Sequence, residues 1–144
     1  MTLEIINQIM VTRGMIPETP GTMFFSMRSL LGNDTITGKA LLEGPFKKQA
    51  VIPSFKWIDN RPPEAPIVKF DNLIKKIKIS WITKSKENPW LFIVYKKTNN
   101  GWSYEILSSE TREYTISDST TSEVIVTAID KCGNESKKSI VKIH

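Results

Sequence analysis

The stretch Lys76-Ile77-Lys78-Ile79-Ser80-Trp81 alternates basic or polar side chains with apolar ones. A period of two belongs to a half-buried strand, so Ile77, Ile79 and Trp81 share one face and the lysines share the other. Downstream, Leu91, Ile93 and Tyr95 share a face of the next strand. Asn99-Asn100-Gly101 then supplies residues that tolerate positive φ, as a hairpin turn requires. Trp102 to Leu107 predicts a fourth strand, Tyr114-Thr115-Ile116 a short fifth, and Val124, Val126 and Ala128 line a sixth. After a turn at Gly133-Asn134, Ser139 to Ile143 closes the series, and upstream Pro66 to Phe70 opens it.

Seven short strands between residues 65 and 144, separated by turn residues, are the pattern of an immunoglobulin-like β-sandwich. Its core is expected from Ile77, Ile79, Trp81, Ile93, Tyr95, Val124 and Val126, meeting between two stacked sheets. Ahead of it lies Asp59-Asn60-Arg61-Pro62-Pro63-Glu64-Ala65-Pro66, where helix cannot continue. Residues 61–66 are therefore read as a proline-rich linker between a segment 1–60 and the sandwich.

Within 1–60, Leu3, Ile6, Ile9 and Met10 recur at helical spacing, which predicts a helix over 3–12 stopped by Gly14 and Pro17. The nearly continuous apolar run Thr22-Met23-Phe24-Phe25-Ser26-Met27 suits a strand buried on both faces. A second helix is expected over 35–44, capped by Asp34 or Thr35. Phe55-Lys56-Trp57-Ile58 follows, with Trp57 expected to pack against a neighbouring domain or the sandwich.

Charge narrows the function classes. The net charge is +5, with six basic and five acidic side chains in residues 1–60 and fourteen and ten in 61–144. The basic excess raises the question of nucleic acid, but lysines that alternate along a strand form a solvated outward face, which also discourages edge-to-edge aggregation. No nucleic-acid partner is inferred. No apolar run reaches the roughly 18 residues that span a bilayer. Met1-Thr2-Leu3-Glu4 opens no signal peptide, so either the chain is cytoplasmic or an export signal stood upstream.

Constellations for chemistry are sparse. A lone Cys132 excludes an intrachain disulfide, and with His144 as the single histidine there is neither a zinc site nor a Cys–His nucleophile pair. No glycine-rich phosphate loop and no serine nucleophile elbow is present. Asp130 and Asn134 flank a turn without enough spaced oxygen ligands for calcium, and are read as turn formers. No cofactor, metal or catalytic residue is assigned. The aromatics carry the candidate binding residues: Trp90, Trp102 and Tyr104. Trp102 and Tyr104, two apart, share one face. Outward, they form a platform on which a sugar can stack; inward, they are core.

Trp81, Ile93-Val94-Tyr95, and Val126-Thr127-Ala128-Ile129-Asp130 followed by Gly133-Asn134-Glu135-Ser136 resemble a fibronectin type III module of the kind that follows bacterial carbohydrate-active domains. One departure is Val124, which stands where such modules usually have a tyrosine that bonds back to the backbone at a corner. The first part, through Gln8-Ile9-Met10-Val11-Thr12-Arg13, Gly21-Thr22-Met23-Phe24-Phe25-Ser26 and Ala50-Val51-Ile52-Pro53-Ser54-Phe55-Lys56-Trp57-Ile58-Asp59, resembles the end of a glycosyl hydrolase-like family similar to glycoside hydrolase family 10, frequent in Bacteroides-type bacteria. The resemblance implies a small α/β segment equivalent to the last βα unit of a TIM barrel, then the sandwich.

It also implies an upstream barrel domain as partner and a periplasmic, cell-surface or secreted parent protein. Glycoside hydrolysis uses two carboxyl groups across the scissile bond, and a barrel takes about 250 residues. None of Glu4, Glu18, Asp34, Glu43 and Asp59 falls at the end of the predicted strand 22–27, where Ser26 and Arg28 stand closest. In a full barrel those two would be the residues to touch a sugar hydroxyl; packing of the strand end is the plainer role. The expected function is thus non-catalytic: a spacer or stabilising accessory region. The alternatives are a carbohydrate-binding module and a protein-interaction or adhesion module. The apolar N-terminal segment is expected to pack, to lack order or to drive self-association.

Overall fold

Residues 2–16, 21–24, 30, 36–73, 76–84 and 88–143 are described by the structure, a computed structural model. The chain forms two compact units, Met1–Gln49 and Ala50–His144.

The described residues of the first unit contain helix α1 (Thr2–Met15) and helix α2 (Ile36–Glu43), and no strand. The two helices are in contact, and Ile9 and Leu41 are buried, at 2% and 4% exposure. The Thr12-Arg13 pair has defined roles. The Thr12 hydroxyl donates back to the Gln8 carbonyl at 2.8 Å, and Arg13 donates to the Pro45 carbonyl at 2.8 Å with its guanidinium over the Phe46 ring. The strand expected at 22–27 is not seen over 22–24, which is irregular with Phe24 edge-on to Phe46; 25–27 lie outside the described residues. The physical reason is that a strand needs a neighbour to satisfy its backbone groups, and none is described in this unit.

In the second unit, period-two segments become strands β1 (Ile67–Leu73), β2 (Lys76–Ile82), β3 (Leu91–Thr98), β4 (Gly101–Ser108), β5 (Glu113–Ile116), β6 (Glu123–Ile129) and β7 (Ser139–Lys142). They form two antiparallel sheets, ordered β1-β2-β5 and β4-β3-β6-β7. The chain crosses between sheets after β2, β4 and β5. Asn99-Asn100 forms a two-residue loop with Thr98 paired to Gly101, whose φ of 109° explains the glycine.

The core between the sheets consists of Ile79 and Trp81 from β2, Phe92 and Val94 from β3, Ile116 from β5, and Val124, Val126 and Ala128 from β6. Trp81 and Phe92 rings lie 5.5 Å apart, and burial of each contributes about 1.5–3 kcal/mol. Ile77 packs partly buried against this cluster. One expectation is corrected. Ile93 and Tyr95 do not point between the sheets; Phe92 and Val94 do. Leu91 to Tyr95 is apolar at every position, so alternation alone could not say which set faces inward, and pairing with β6 decided it.

At the open edge of the core, Lys96 reaches inward and donates to Glu105 and to the Tyr114 hydroxyl, each at 2.8 Å; Tyr114 also donates to Glu105. The connection before β6 lacks the expected tyrosine. It is held by Asp118, which accepts from the Thr120 amide and hydroxyl at 2.8 and 2.7 Å, and by Ser122, whose amide donates to the Lys97 carbonyl. Those bonds from Thr120 lower the Asp118 pKa.

Residues 50–62 belong to the sandwich unit and are pinned to its last turn. The Phe55 amide donates to the Cys132 carbonyl at 2.8 Å, and buried Asn134 donates through Nδ2 to the Asp59 carbonyl at 2.9 Å. Asp130 organises that turn, accepting from the Cys132 and Asn134 amides and from Asn134 Nδ2. Residues 61–66 run on from this clamp into β1, with Pro66 buried. Of the two packing surfaces expected for Trp57, the sandwich is not used: the residue is 79% exposed, touching Phe55 edge-on at 5.1 Å. The turn over 56–58 directs its side chain away from the sandwich that holds Phe55 and Asp59.

Candidate functional site

The outer face of the four-stranded sheet follows from the pairing register. Trp102, Lys97, Glu123 and Lys142 make one row across β4, β3, β6 and β7. Tyr104, Tyr95, Ile125 and Ile140 make the next, and Ile106, Ile93 and Thr127 the third. This face is unusually apolar for one that is not core. Trp102 is 52% exposed, Tyr104 40% and Ile140 56%. The Tyr95 and Tyr104 rings lie 6.3 Å apart, tilted by 49°, and the Lys97 ammonium stands 5.7 Å from the Trp102 ring centre.

Beside the aromatics, the segment linking β6 to β7 raises a wall. Glu135 pairs with Ile129 as an isolated bridge, which brings its carboxylate over the sheet. One oxygen of that carboxylate accepts from the Tyr95 hydroxyl at 2.9 Å and from Thr127 Oγ1 at 2.7 Å. Burial, reinforced by the Glu135 carboxylate, pushes the Tyr95 pKa up to about 12, so the phenol stays protonated and donating. Tyr95, Trp102, Ile125, Glu135 and Lys138 enclose a cleft of about 390 Å³. A larger one, about 570 Å³, lies along the seam where residues 51–62 meet the turn at 133–135 and is lined mainly by the clamp itself.

Of the sequence-derived candidates, Trp102 and Tyr104 face outward side by side. Trp90 does not join them. Although 43% exposed, it precedes β3, seven residues from the partner of Trp102 and so about 23 Å away along the strand. Ser26 and Arg28 lie outside the described residues. The sequence reading missed Tyr95, Ile125, Glu135 and Lys138. Tyr95 was within reach: a two-residue loop at Asn99-Asn100 pairs Thr98 with Gly101 and hence Tyr95 with Tyr104. Glu135 and Lys138 gave no signal, because their connection had to fold over the sheet first. Among the described residues no three His, Cys, Asp or Glu side chains gather to hold a metal.

Sheet order and connections define a seven-stranded, fibronectin type III-like β-sandwich. Searches of known protein-family profiles and of curated proteins find no match. Similar solved structures include a fibronectin type III domain of human collagen XX, at 15% identity over 65% of this chain and 100% of that one, with a TM-score of 0.47. The spore cortex lytic enzyme SleM of Clostridium perfringens aligns at 17% identity over 57% of this chain and 29% of that one, TM-score 0.44. Pectate lyase PelI of Erwinia chrysanthemi, solved with tetragalacturonic acid, aligns at 14% identity over 54% and 28%, TM-score 0.43.

Proposed function

We propose that this chain is a non-catalytic accessory region of a glycoside hydrolase-like protein, in which the sandwich serves as a spacer or stabilising module for a barrel domain. The observation that carries this reading is the clamp between residues 50–62 and the turn at 130–134. Phe55 and Asp59 are tied to Cys132 and Asn134, so the chain enters the sandwich along a fixed path. A free proline-rich tether would leave a preceding domain to wander; a pinned entry fixes the direction of approach. The same entry exposes Trp57 at 79% and Ile58 at 68%, an apolar pair suited to packing against another domain. An extracytoplasmic parent protein from a Bacteroides-type bacterium goes with this reading.

The test is the coding sequence before Met1. A continuous frame encoding barrel strands supports the reading. In that longer product, Trp57→Ala is expected to separate barrel and sandwich unfolding into two transitions where the parent shows one. An upstream stop codon in every frame, or release of reducing sugar from polysaccharide by this chain alone, overturns it.

A further inference from the structure

We propose that the cleft between Trp102, Tyr95 and Glu135 binds uncharged pyranose units of a polysaccharide. The site lies on the outer sheet face, shares Glu135 with the lining of the clamp cleft, and goes beyond the accessory reading.

Ile125, 6% exposed, floors a cleft of about 390 Å³, within the range of about 300–1,000 Å³ typical of small-ligand sites. Trp102, Tyr104 and Ile140 leave apolar surface open around it. A contiguous apolar patch on a folded surface marks a place where something docks.

The cleft also carries a matched polar set. Glu135 is held by two hydroxyls that rise from adjacent strands, Tyr95 on β3 and Thr127 on β6, so its carboxylate is a fixed acceptor backed by a rigid sheet. Lys138, on the same wall, offers a donor. The two carry opposite charges on one wall. A pyranose matches this combination. One of its faces is made of C–H bonds, whose slight positive charge suits the negative face of an indole or phenol ring. Its rim of hydroxyls both donates, here to Glu135, and accepts, here from Lys138.

Other ligand classes fit less well. An anion would face the Glu135 carboxylate, a cation would face Lys138 and the Lys97 ammonium beside Trp102, and a purely apolar segment would strip water from Glu135 and Lys138 without replacing it.

The experiment titrates the full chain with neutral xylo-, cello- and manno-oligosaccharides and follows tryptophan fluorescence. At least one series is expected to give a saturable change. Trp102→Ala is expected to weaken that binding tenfold or more and Glu135→Ala several-fold, with Trp102→Phe retaining most of it. Trp90→Ala and Trp57→Ala serve as folded comparators that keep binding. The proposal is overturned by flat titrations in every neutral series, by binding of polygalacturonate alone that vanishes with salt, or by binding indifferent to Trp102→Ala. Because the titration uses this chain by itself, it can fail while the accessory reading stands, and the reverse.

Discussion

Gly133 lies so close to Pro53 that a Cβ on it would stand 2.8 Å from the Pro53 carbonyl oxygen. Its φ of 78° is also in the left-handed region. Conformation and contact are separable here, because Gly101 has a positive φ with nothing within 4 Å of its would-be Cβ. Gly101→Ala is expected to cost roughly 1–2 kcal/mol from backbone conformation alone. Gly133→Ala should cost about 1–3 kcal/mol more, because the clamp backbone has to move. Urea denaturation of both variants measures the difference. Equal costs would mean that residues 50–62 do not press on the turn.

The inward face of β3 gives a second prediction. Phe92 is fully buried against Trp81, whereas the Tyr95 hydroxyl reaches Glu135 on the outer face. Phe92→Ala should lower stability by about 3–5 kcal/mol through the cavity it leaves. Tyr95→Phe removes one hydrogen bond and should cost only about 0.5–1.5 kcal/mol. Chemical denaturation that ranked the two in the opposite order would reverse the assignment of faces.

Tyr95 titrates late. Burial first, and then the Glu135 carboxylate, raise its pKa from 10.0 to about 12. A group whose pKa is raised on folding adds stability that is complete below the unfolded value and disappears as pH climbs through the folded one. The contribution of Tyr95 is therefore present below about pH 10 and lost toward pH 12. Glu135→Gln removes the negative charge and should move the Tyr95 transition to lower pH. Tyrosinate absorbance, compared with Tyr95→Phe to isolate the residue, reads the shift; an unchanged midpoint would dissociate the two groups.

The Lys96, Glu105 and Tyr114 group predicts acid sensitivity. The Lys96 hydrogen bond, followed by that of Tyr114, holds the Glu105 carboxyl below its ordinary 4.5. Its stabilisation is thus complete above about pH 4.5 and lost as the pH falls through the lower folded value. Glu105 is about half exposed, so solvent screens the interaction. A double-mutant cycle with Lys96→Met and Glu105→Gln should give a coupling of about 0.5–1 kcal/mol at neutral pH, shrinking in acid. A coupling that stays constant from pH 7 to about pH 2 would be inconsistent with an ion pair.

Alternation of apolar and polar side chains determined where the strands lie, because inward and outward faces of a half-buried strand see different solvents. Ile79 and Trp81, or Val124 and Val126, could be placed in the core from spacing alone. The Asn99-Asn100-Gly101 loop likewise carried the β3–β4 register in its own chemistry. What only tertiary structure decided were the contacts between elements distant in sequence. Which face of the apolar run Leu91 to Tyr95 in β3 turned inward depended on β6. The strand read at 22–27 had no described neighbour to complete it. The clamp of Phe55 and Asp59 on the turn at 130–134 links residues some 75 positions apart, and Glu135 came to stand over Tyr95 only once the β6–β7 connection had folded across the sheet. Local propensity and solvent contrast act within a few residues and are written in the sequence order. Register and docking are set by which distant surfaces fit, and no single stretch of chain contains that information.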